Sequence, residues 1–228
     1  MCDIAGIKSE IVSGYSKTKP HQVGSAGAVD HAWNVIWLDS SFYMLDPTWA
    51  AGSCSEDEET GKLIKFYKKF NGYYWLTPSA DFLRNHYPKE AKWVLEPNYT
   101  REKFACNPYY APDIISKIKI ITPESGVIKA KMGDTIHFKF EYSGLVERLQ
   151  INTNTFRNPP IWSKENVKKR RWVLQLDTLA LKKQQYVSYK LKDNTCEFDY
   201  VVTSDSLYYI EILFDYRNSP FSIGIFLN

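Results

Sequence analysis

Hydrophobic and polar residues alternate in short runs through most of the chain, a pattern that predicts β-strands rather than long helices. Thr77 and Pro78 interrupt the pattern as an N-cap residue followed by proline at the first helical position, so a short helix is expected there, ending near 87–88. A polar, acidic loop is expected at 54–62. The strands predicted in this first half are 10–17, 31–38, 41–46 and 73–76.

The pattern of hydrophobic and polar residues changes after a stretch at 93–112 that is rich in Pro, Asn and Tyr and is expected to be irregular. We place a domain boundary there, which gives domains 1–112 and 113–228. About eight short alternating runs separated by turn signals predict an antiparallel β-sandwich (Ig-like) in the second domain. These runs are 117–121, 135–142, 148–152, 172–176, 186–191, 197–202, 208–214 and 222–226.

The first residues are read as the end of a helix. Residues 1–7 have neither a basic region nor a long apolar run, so they do not form a signal peptide. Gly6 suits the position just after a helix, and a strand pattern follows at once. We therefore expect the sequence to begin inside a domain, N-terminally truncated.

Composition and charge exclude several classes of protein. The chain has 228 residues, of which 44% are hydrophobic, and a mean hydropathy of −0.39, as in a globular protein. No stretch approaches the roughly 20 apolar residues of a membrane span. Residues 1–112 carry 12 basic and 13 acidic side chains and residues 113–228 carry 17 and 13, so neither half resembles a nucleic-acid-binding surface. We expect no nucleic-acid partner, and the oligomeric state stays unknown.

The predicted hairpin of 31–38 and 41–46 brings together one pair of candidate catalytic residues. If Asp39 and Ser40 form a two-residue loop, Trp33 lies opposite Asp46, and His31 lies on the same face, diagonal to Asp46. Diagonal neighbours are roughly 7–8 Å apart at Cα, within reach of long side chains. A loop one residue longer would put the two on opposite faces. A carboxylate on one imidazole nitrogen leaves the other free to act as a base toward a nucleophile.

The residues around this pair resemble the transglutaminase-like superfamily, whose members carry a Cys-His-Asp triad on a papain-like α+β core. The similarity covers residues 1 to about 110 and is specific because two motifs occur at a suitable spacing, HAWN at 31–34 and LDPTW at 45–49. The resemblance implies an α+β fold with a partial papain-like core and an antiparallel sheet, with His31 and Asp46 as catalytic residues. The kyphoscoliosis-peptidase-like branch is indicated by residues 49–52, 74–78, 86–88 and Trp93.

The nucleophile is where the chain departs from the family pattern. The resemblance places the triad cysteine about three helical turns before the segment that begins at Ala5, upstream of Met1. Cys2 would belong to the last turn of the helix, where the dipole disfavours a thiolate. Cys54, Cys106 and Cys196 match no motif. We therefore expect this chain alone to be inactive.

Other candidate residues have a structural interpretation beside the functional one. Trp33 and Trp49 would line the cleft, and core packing is about equally favoured. His21 and His86 are interpreted as ordinary residues, since no clustered metal ligands are visible. The acidic residues 56–59 could bind calcium, as in transglutaminases proper, but a solvated loop is favoured. No metal and no cofactor is expected.

The sequence leaves two functional hypotheses. One is a transglutaminase-like or cysteine-peptidase-like protein that acts on amide bonds of a protein or peptide substrate. The alternative is a non-catalytic interaction or scaffold protein that binds partners through the same fold and the sandwich. The sequence does not choose between hydrolysis and cross-linking. Localisation is unknown, with a lean to an exported or surface-associated protein.

Overall fold

The computed structural model describes residues 2–57, 60–144, 146–167, 171–215 and 223–227. The chain divides into two compact units, Met1–Tyr109 and Tyr110–Asn228. Both are rich in antiparallel strands joined by short helices, which agrees with the expected α+β class. Within the described residues, no helix has the length and hydrophobicity needed to cross a bilayer.

The strands of the first unit are β1 (Lys8–Ser16), β2 (His31–Leu38), β3 (Ser41–Leu45), β4 (Gly52–Glu56), β5 (Leu63–Lys68), β6 (Trp75–Thr77) and β7 (His86–Pro88), and its helices are α1 (Pro47–Ala51), α2 (Ser79–Phe82) and α3 (Arg101–Ala105). Five of the strands form one sheet of order β6-β3-β2-β1-β7. A separate hairpin is formed by β4 and β5.

The predicted hairpin of β2 and β3 is confirmed with its register. Leu38 pairs with Ser41 and Asn34 with Leu45. Asp39 and Ser40 form the two-residue loop and both have positive φ, 49° and 64°. Positive φ at both central residues is the conformation of the turn whose twist matches paired strands.

The core of the first unit lies on one face of this sheet. Alternation along β1, β2 and β3 sends every second side chain to that face. Short helices and turns that follow the strands close over it. The buried cluster consists of Val12, Trp33, Val35, Met44, Ala50, Tyr74, Phe82 and Trp93.

Three expectations for this unit are corrected. The polar loop expected at 54–62 begins inside β4, because Cys54 pairs with Phe66 of β5; Glu58 and Glu59 lie outside the described residues. Pro78, rather than Thr77, is the N-cap of α2. The stretch expected to be irregular contains α3, whose first turn is capped by the hydroxyl of Thr100 accepting from the Lys103 N–H.

The elements of the second unit are β8 (Tyr109–Tyr110), where the unit begins, β9 (Ile118–Thr122), β10 (Thr135–Tyr142), β11 (Arg148–Thr153), β12 (Trp162–Val167), β13 (Arg171–Leu176), α4 (Thr178–Lys182), β14 (Lys190–Lys192), β15 (Thr195–Val201), β16 (Ile210–Asp215) and β17 (Ile223–Leu227). They form two four-stranded sheets, of order β14-β15-β10-β9 and β11-β16-β17-β8, and a β12–β13 hairpin. The strand β12 and the short helix α4 were not predicted.

Candidate active site

His31 and Asp46 meet where β2 begins and β3 ends. The Nε2 atom of His31 lies 2.6 Å from Oδ2 of Asp46, so the predicted contact is confirmed. Asp46 is fully buried, whereas the His31 side chain keeps 17% of its surface exposed. His31 is therefore bonded to a buried carboxylate on one side and partly exposed to solvent. Its Nδ1 makes no hydrogen bond with any described residue.

The second oxygen of Asp46 holds the start of helix α1. Oδ1 accepts hydrogen bonds from the backbone N–H groups of Thr48 and Trp49, at 2.9 and 3.0 Å. This is the N-cap arrangement, and Pro47 at the first helical position lacks an N–H that would need a partner. The LDPTW sequence therefore holds one oxygen of the carboxylate through local hydrogen bonds.

A second histidine reaches the same carboxylate. His86 is buried, and its Nε2 lies 3.2 Å from Oδ2 of Asp46. It is brought there by β7, in which His86 pairs with Ser16 of β1. The interpretation of His86 as an ordinary residue is therefore wrong, and the sequence carried only one local signal for it, the His-Tyr-Pro motif of the resemblance.

The electrostatics keep Asp46 ionised. Burial acts to raise the pKa of Asp46, but hydrogen bonds from His31, His86 and the Trp49 N–H outweigh it and hold the pKa well below its usual range. Burial lowers the pKa of His86 to about 4, against the opposing hydrogen bond to Asp46. At neutral pH the site therefore holds an Asp46 carboxylate and a neutral His86.

The three side chains could in principle hold a metal, because their donor atoms all lie within 4.8 Å of one another. Two ligands of a tetrahedral zinc ion stand about 3.3 Å apart, given zinc–ligand distances of about 2.0–2.1 Å. The 2.6 Å between His31 and Asp46 is instead the length of a charge-assisted hydrogen bond. The geometry is therefore that of a hydrogen-bonded group.

The two tryptophans occupy different environments. Trp33 is 2% exposed and packs in the core, which was one of the two interpretations left open. Trp49 is half-buried and stacks on His31, with ring centroids 5.0 Å apart and planes inclined by 27°. Trp49 therefore forms one wall beside the imidazole. A stacked ring restricts the rotation of His31 while leaving its edge accessible.

No cysteine of the chain belongs to the group of donor atoms around Asp46, a statement that covers the described residues. Cys54 is exposed, Cys2 and Cys106 are half-buried, and Cys196 is buried in the second unit. Burial raises the pKa of the Cys196 thiol to about 11, which disfavours a thiolate. The described site is therefore a histidine–carboxylate pair without a thiol.

Similar proteins carry the names that the motifs suggest. The chain is 33% identical over 137 residues to kyphoscoliosis peptidase of Homo sapiens, a match covering 58% of this chain and 20% of that protein. It is 25% identical over 107 residues to LIM and transglutaminase domain protein ltd-1 of Caenorhabditis elegans (42% and 14%), and 23% over 103 residues to hillarin of Drosophila melanogaster (42% and 13%). No protein-family model matches the chain.

These relatives confirm the resemblance to transglutaminase-like proteins that the HAWN and LDPTW motifs indicated. They also confirm the kyphoscoliosis-peptidase branch that residues 49–52, 74–78, 86–88 and Trp93 indicated. The match spans about a fifth of the length of the peptidases and less of the other two proteins.

Proposed function

We propose that the first unit supplies the His-Asp part of a Cys-His-Asp site that acts on amide bonds of proteins or peptides. The nucleophilic cysteine would come from a segment of the protein outside these 228 residues. The observation that carries the proposal is the 2.6 Å bond from Nε2 of His31 to Asp46, which leaves Nδ1 open at a solvent-accessible position. In a thiol site this is the nitrogen that would face the nucleophile.

The reaction assigns one role to each residue. His31 takes the thiol proton at Nδ1, and the thiolate attacks the amide carbonyl carbon. The C–N bond breaks, the amine leaves with the proton from His31, and the acyl group stays on sulfur as a thioester. Water then gives hydrolysis, or a primary amine gives a new amide and cross-linking. Throughout, the Asp46 carboxylate stabilises the imidazolium and holds its orientation.

The proposal also covers the fold around this site. The five-stranded sheet with its short helices would be part of a papain-like core, and the two four-stranded sheets of the second unit would form the expected β-sandwich. A ring contact supports the sandwich, because Phe140 of β10 packs edge to face on Phe214 of β16 at a centroid distance of 5.3 Å.

The experiment has two stages. In the 228-residue chain, thiol labelling should find no cysteine that reacts faster than an ordinary exposed thiol; Cys54 should label first and Cys196 only on unfolding. A longer form of the protein should contain a cysteine upstream of Met1, about three helical turns before the segment that begins at Ala5. That form should turn over a fluorogenic peptide or couple an amine probe to a glutamine peptide.

The His31→Ala variant of the longer form should lose this activity, and the His137→Ala variant should keep it. His137 is the matched control because it makes a similar 2.7 Å bond to Asp199 at an exposed position of the second unit. A longer form without a cysteine near Nδ1 of His31, or one whose activity survives His31→Ala, would falsify the proposal.

One observation favours a binding function as the second candidate. The hairpin of β4 and β5 exposes a row of large apolar side chains, each at least half accessible: Leu63, Ile64, Phe66, Tyr67 and the adjacent Phe70. Exposed apolar surface of this kind is typical of contact sites. If turnover is absent and Phe66→Ser together with Tyr67→Ser abolishes the assembly of the longer protein, the scaffold function replaces the enzymatic one.

A further inference from the structure

His86 contacts several side chains of the site, although it is not a member of the proposed triad. Its imidazole is fully buried and stacks on Phe82, with ring centroids 4.1 Å apart. Trp49 lies 4.5 Å away on another side and Trp33 meets the ring edge-on at 5.1 Å. These rings hold the imidazole plane, and the contacts of its two nitrogens with Asn85 and Asp46 fix their direction.

Asn85 and Tyr74 form a polar chain behind His86. The Oδ1 atom of Asn85 lies 2.8 Å from Nδ1 of His86, and its Nδ2 donates to the Tyr74 hydroxyl at 2.9 Å. Burial raises the pKa of Tyr74 well above its usual range, so this hydroxyl keeps its proton. The chain therefore holds the imidazole of His86 at the nitrogen that does not face Asp46.

The contact between His86 and Asp46 has a defined direction. An ionised carboxylate has no proton to donate, so Nε2 of His86 carries the proton in this contact and donates to Oδ2 of Asp46, 3.2 Å away. Oδ2 therefore accepts from two imidazoles, those of His31 and His86.

We propose that His86 is a positioning residue that holds the Asp46 carboxylate, and through it His31, in the orientation that keeps Nδ1 of His31 open. The catalytic meaning of this role rests on the proposed function. Oδ1 of Asp46 accepts hydrogen bonds from two backbone N–H groups, and Oδ2 accepts from the imidazoles of His31 and His86. The bond from His86 stops the carboxylate from turning about its Cβ–Cγ bond, so Oδ2 stays in place to accept from Nε2 of His31 and Nδ1 of His31 stays open.

The test compares three substitutions in the 228-residue chain. His86→Phe keeps a ring against Phe82 and removes the donor. His86→Gln places an amide NH2 near the position of Nε2, whereas His86→Asn has the same amide one carbon shorter and does not reach Asp46. His137→Phe is the control for loss of a histidine–aspartate bond at an exposed site.

The readout is the nitrogen NMR spectrum of the His31 ring, which reports its tautomer. Wild type and His86→Gln should show His31 in a single tautomer with a slowly exchanging Nε2–H. His86→Phe and His86→Asn should show a mixture of tautomers and lose the slowly exchanging proton. A merely structural role would lower the melting temperature and leave the tautomer unchanged. If His86→Phe does not fold, the Gln and Asn pair carries the test.

A single Nε2–H tautomer in folded His86→Phe, or in His86→Asn, overturns the inference. In an active longer form, kcat should fall about tenfold in His86→Phe with KM unchanged, less than the about 10²–10⁴-fold contributed by a general base. The NMR readout needs no turnover, so an inactive protein with the expected tautomer change disproves the proposed function alone. An active protein without that change disproves the role of His86 alone.

Discussion

His31 and Asp46 are joined by a 2.6 Å hydrogen bond through a carboxylate whose other oxygen caps helix α1. One side chain therefore fixes both the start of a helix and the direction of an imidazole. Capping satisfies backbone N–H groups that have no partner inside the helix. The orientation of His31 is for this reason part of the folded framework and does not depend on a bound substrate.

The Asp46→Asn substitution separates these two roles. Asparagine is as good an N-cap as aspartate, so the fold should be retained. The amide NH2 would then face the imidazoles, and His31 should move its proton to Nδ1. A base with the wrong tautomer loses about 10⁴ in kcat in a serine-protease triad, and we expect a loss of that order in an active longer form.

The measurement is the tautomer of His31 by nitrogen NMR together with turnover. Asp199→Asn, at the exposed His137 pair, is the matched control and should change neither. Asp46→Asn protein that keeps its proton on Nε2 of His31 would contradict the prediction.

The hairpin that carries the pair could be predicted because all its determinants are local. A two-residue turn fixes the register, and the period of two places His31 and Asp46 on one face. His86 could not be placed in this way. It lies 40 residues beyond Asp46 and is brought to the carboxylate by the pairing of β7 with β1, which no local pattern specifies.

The hairpin of β4 and β5 was missed for a different reason. Its strands have no buried face, since every residue of β5 is exposed, so the alternation that marks a half-buried strand is absent. The acidic residues that follow β4 favoured a loop. Backbone pairing alone, which leaves little mark on the sequence, defines these two strands.

Stability should fall as the pH is lowered from about 6.5 to about 4. The pKa of His86 is about 4 in the folded chain and near its ordinary value of 6.5 when unfolded, so the unfolded state binds a proton that the folded state does not. A shift of this size corresponds to about 3 kcal/mol. Below pH 4, protonation of Asp46, whose folded pKa is depressed, should reduce stability further.

Urea unfolding at pH 7, 5.5 and 4.5 measures this dependence. His86→Phe should lose most of the decrease between pH 7 and 4.5, and His137→Phe, at an exposed histidine, should keep it. The prediction is wrong if the free energy of unfolding of the wild-type chain is constant across that range.

Gly14→Ala should disrupt the sheet beside the site. Gly14 pairs with His31, and a Cβ atom there would lie 2.2 Å from the Tyr87 carbonyl oxygen and 2.4 Å from the Trp33 ring. A backbone oxygen on a paired strand cannot move aside easily, so the loss should reach the upper part of the about 1–3 kcal/mol range for overpacking. Thermal unfolding measures it.

Gly72→Ala is the control, because its Cβ would meet only Phe70 at an ordinary 3.6 Å. Equal melting temperatures for the two variants would show that the strands beside His31 are not packed as closely as described.

Lys17 is a buried cation that should stabilise the loop leading to His31. Only 2% of the residue is exposed, and its Nζ donates to the carbonyl oxygens of Gln22, Ser25 and Ala105 at 2.7, 3.1 and 2.9 Å. Lys17→Met keeps the apolar stem and leaves these acceptors without their donor. Leaving buried acceptors unsatisfied costs about 1–3 kcal/mol, so a loss of about 3 kcal/mol is expected.

Chemical denaturation of Lys17→Met measures this loss, with Lys89→Met, an exposed lysine, as the control. Hydrogen exchange should also locate it. Because Gly24 donates to Ala105 across the same junction, its amide should exchange faster in Lys17→Met, while the amides of β10 in the second unit keep their protection. A uniform increase across both units would instead indicate global destabilisation and contradict a local role for Lys17.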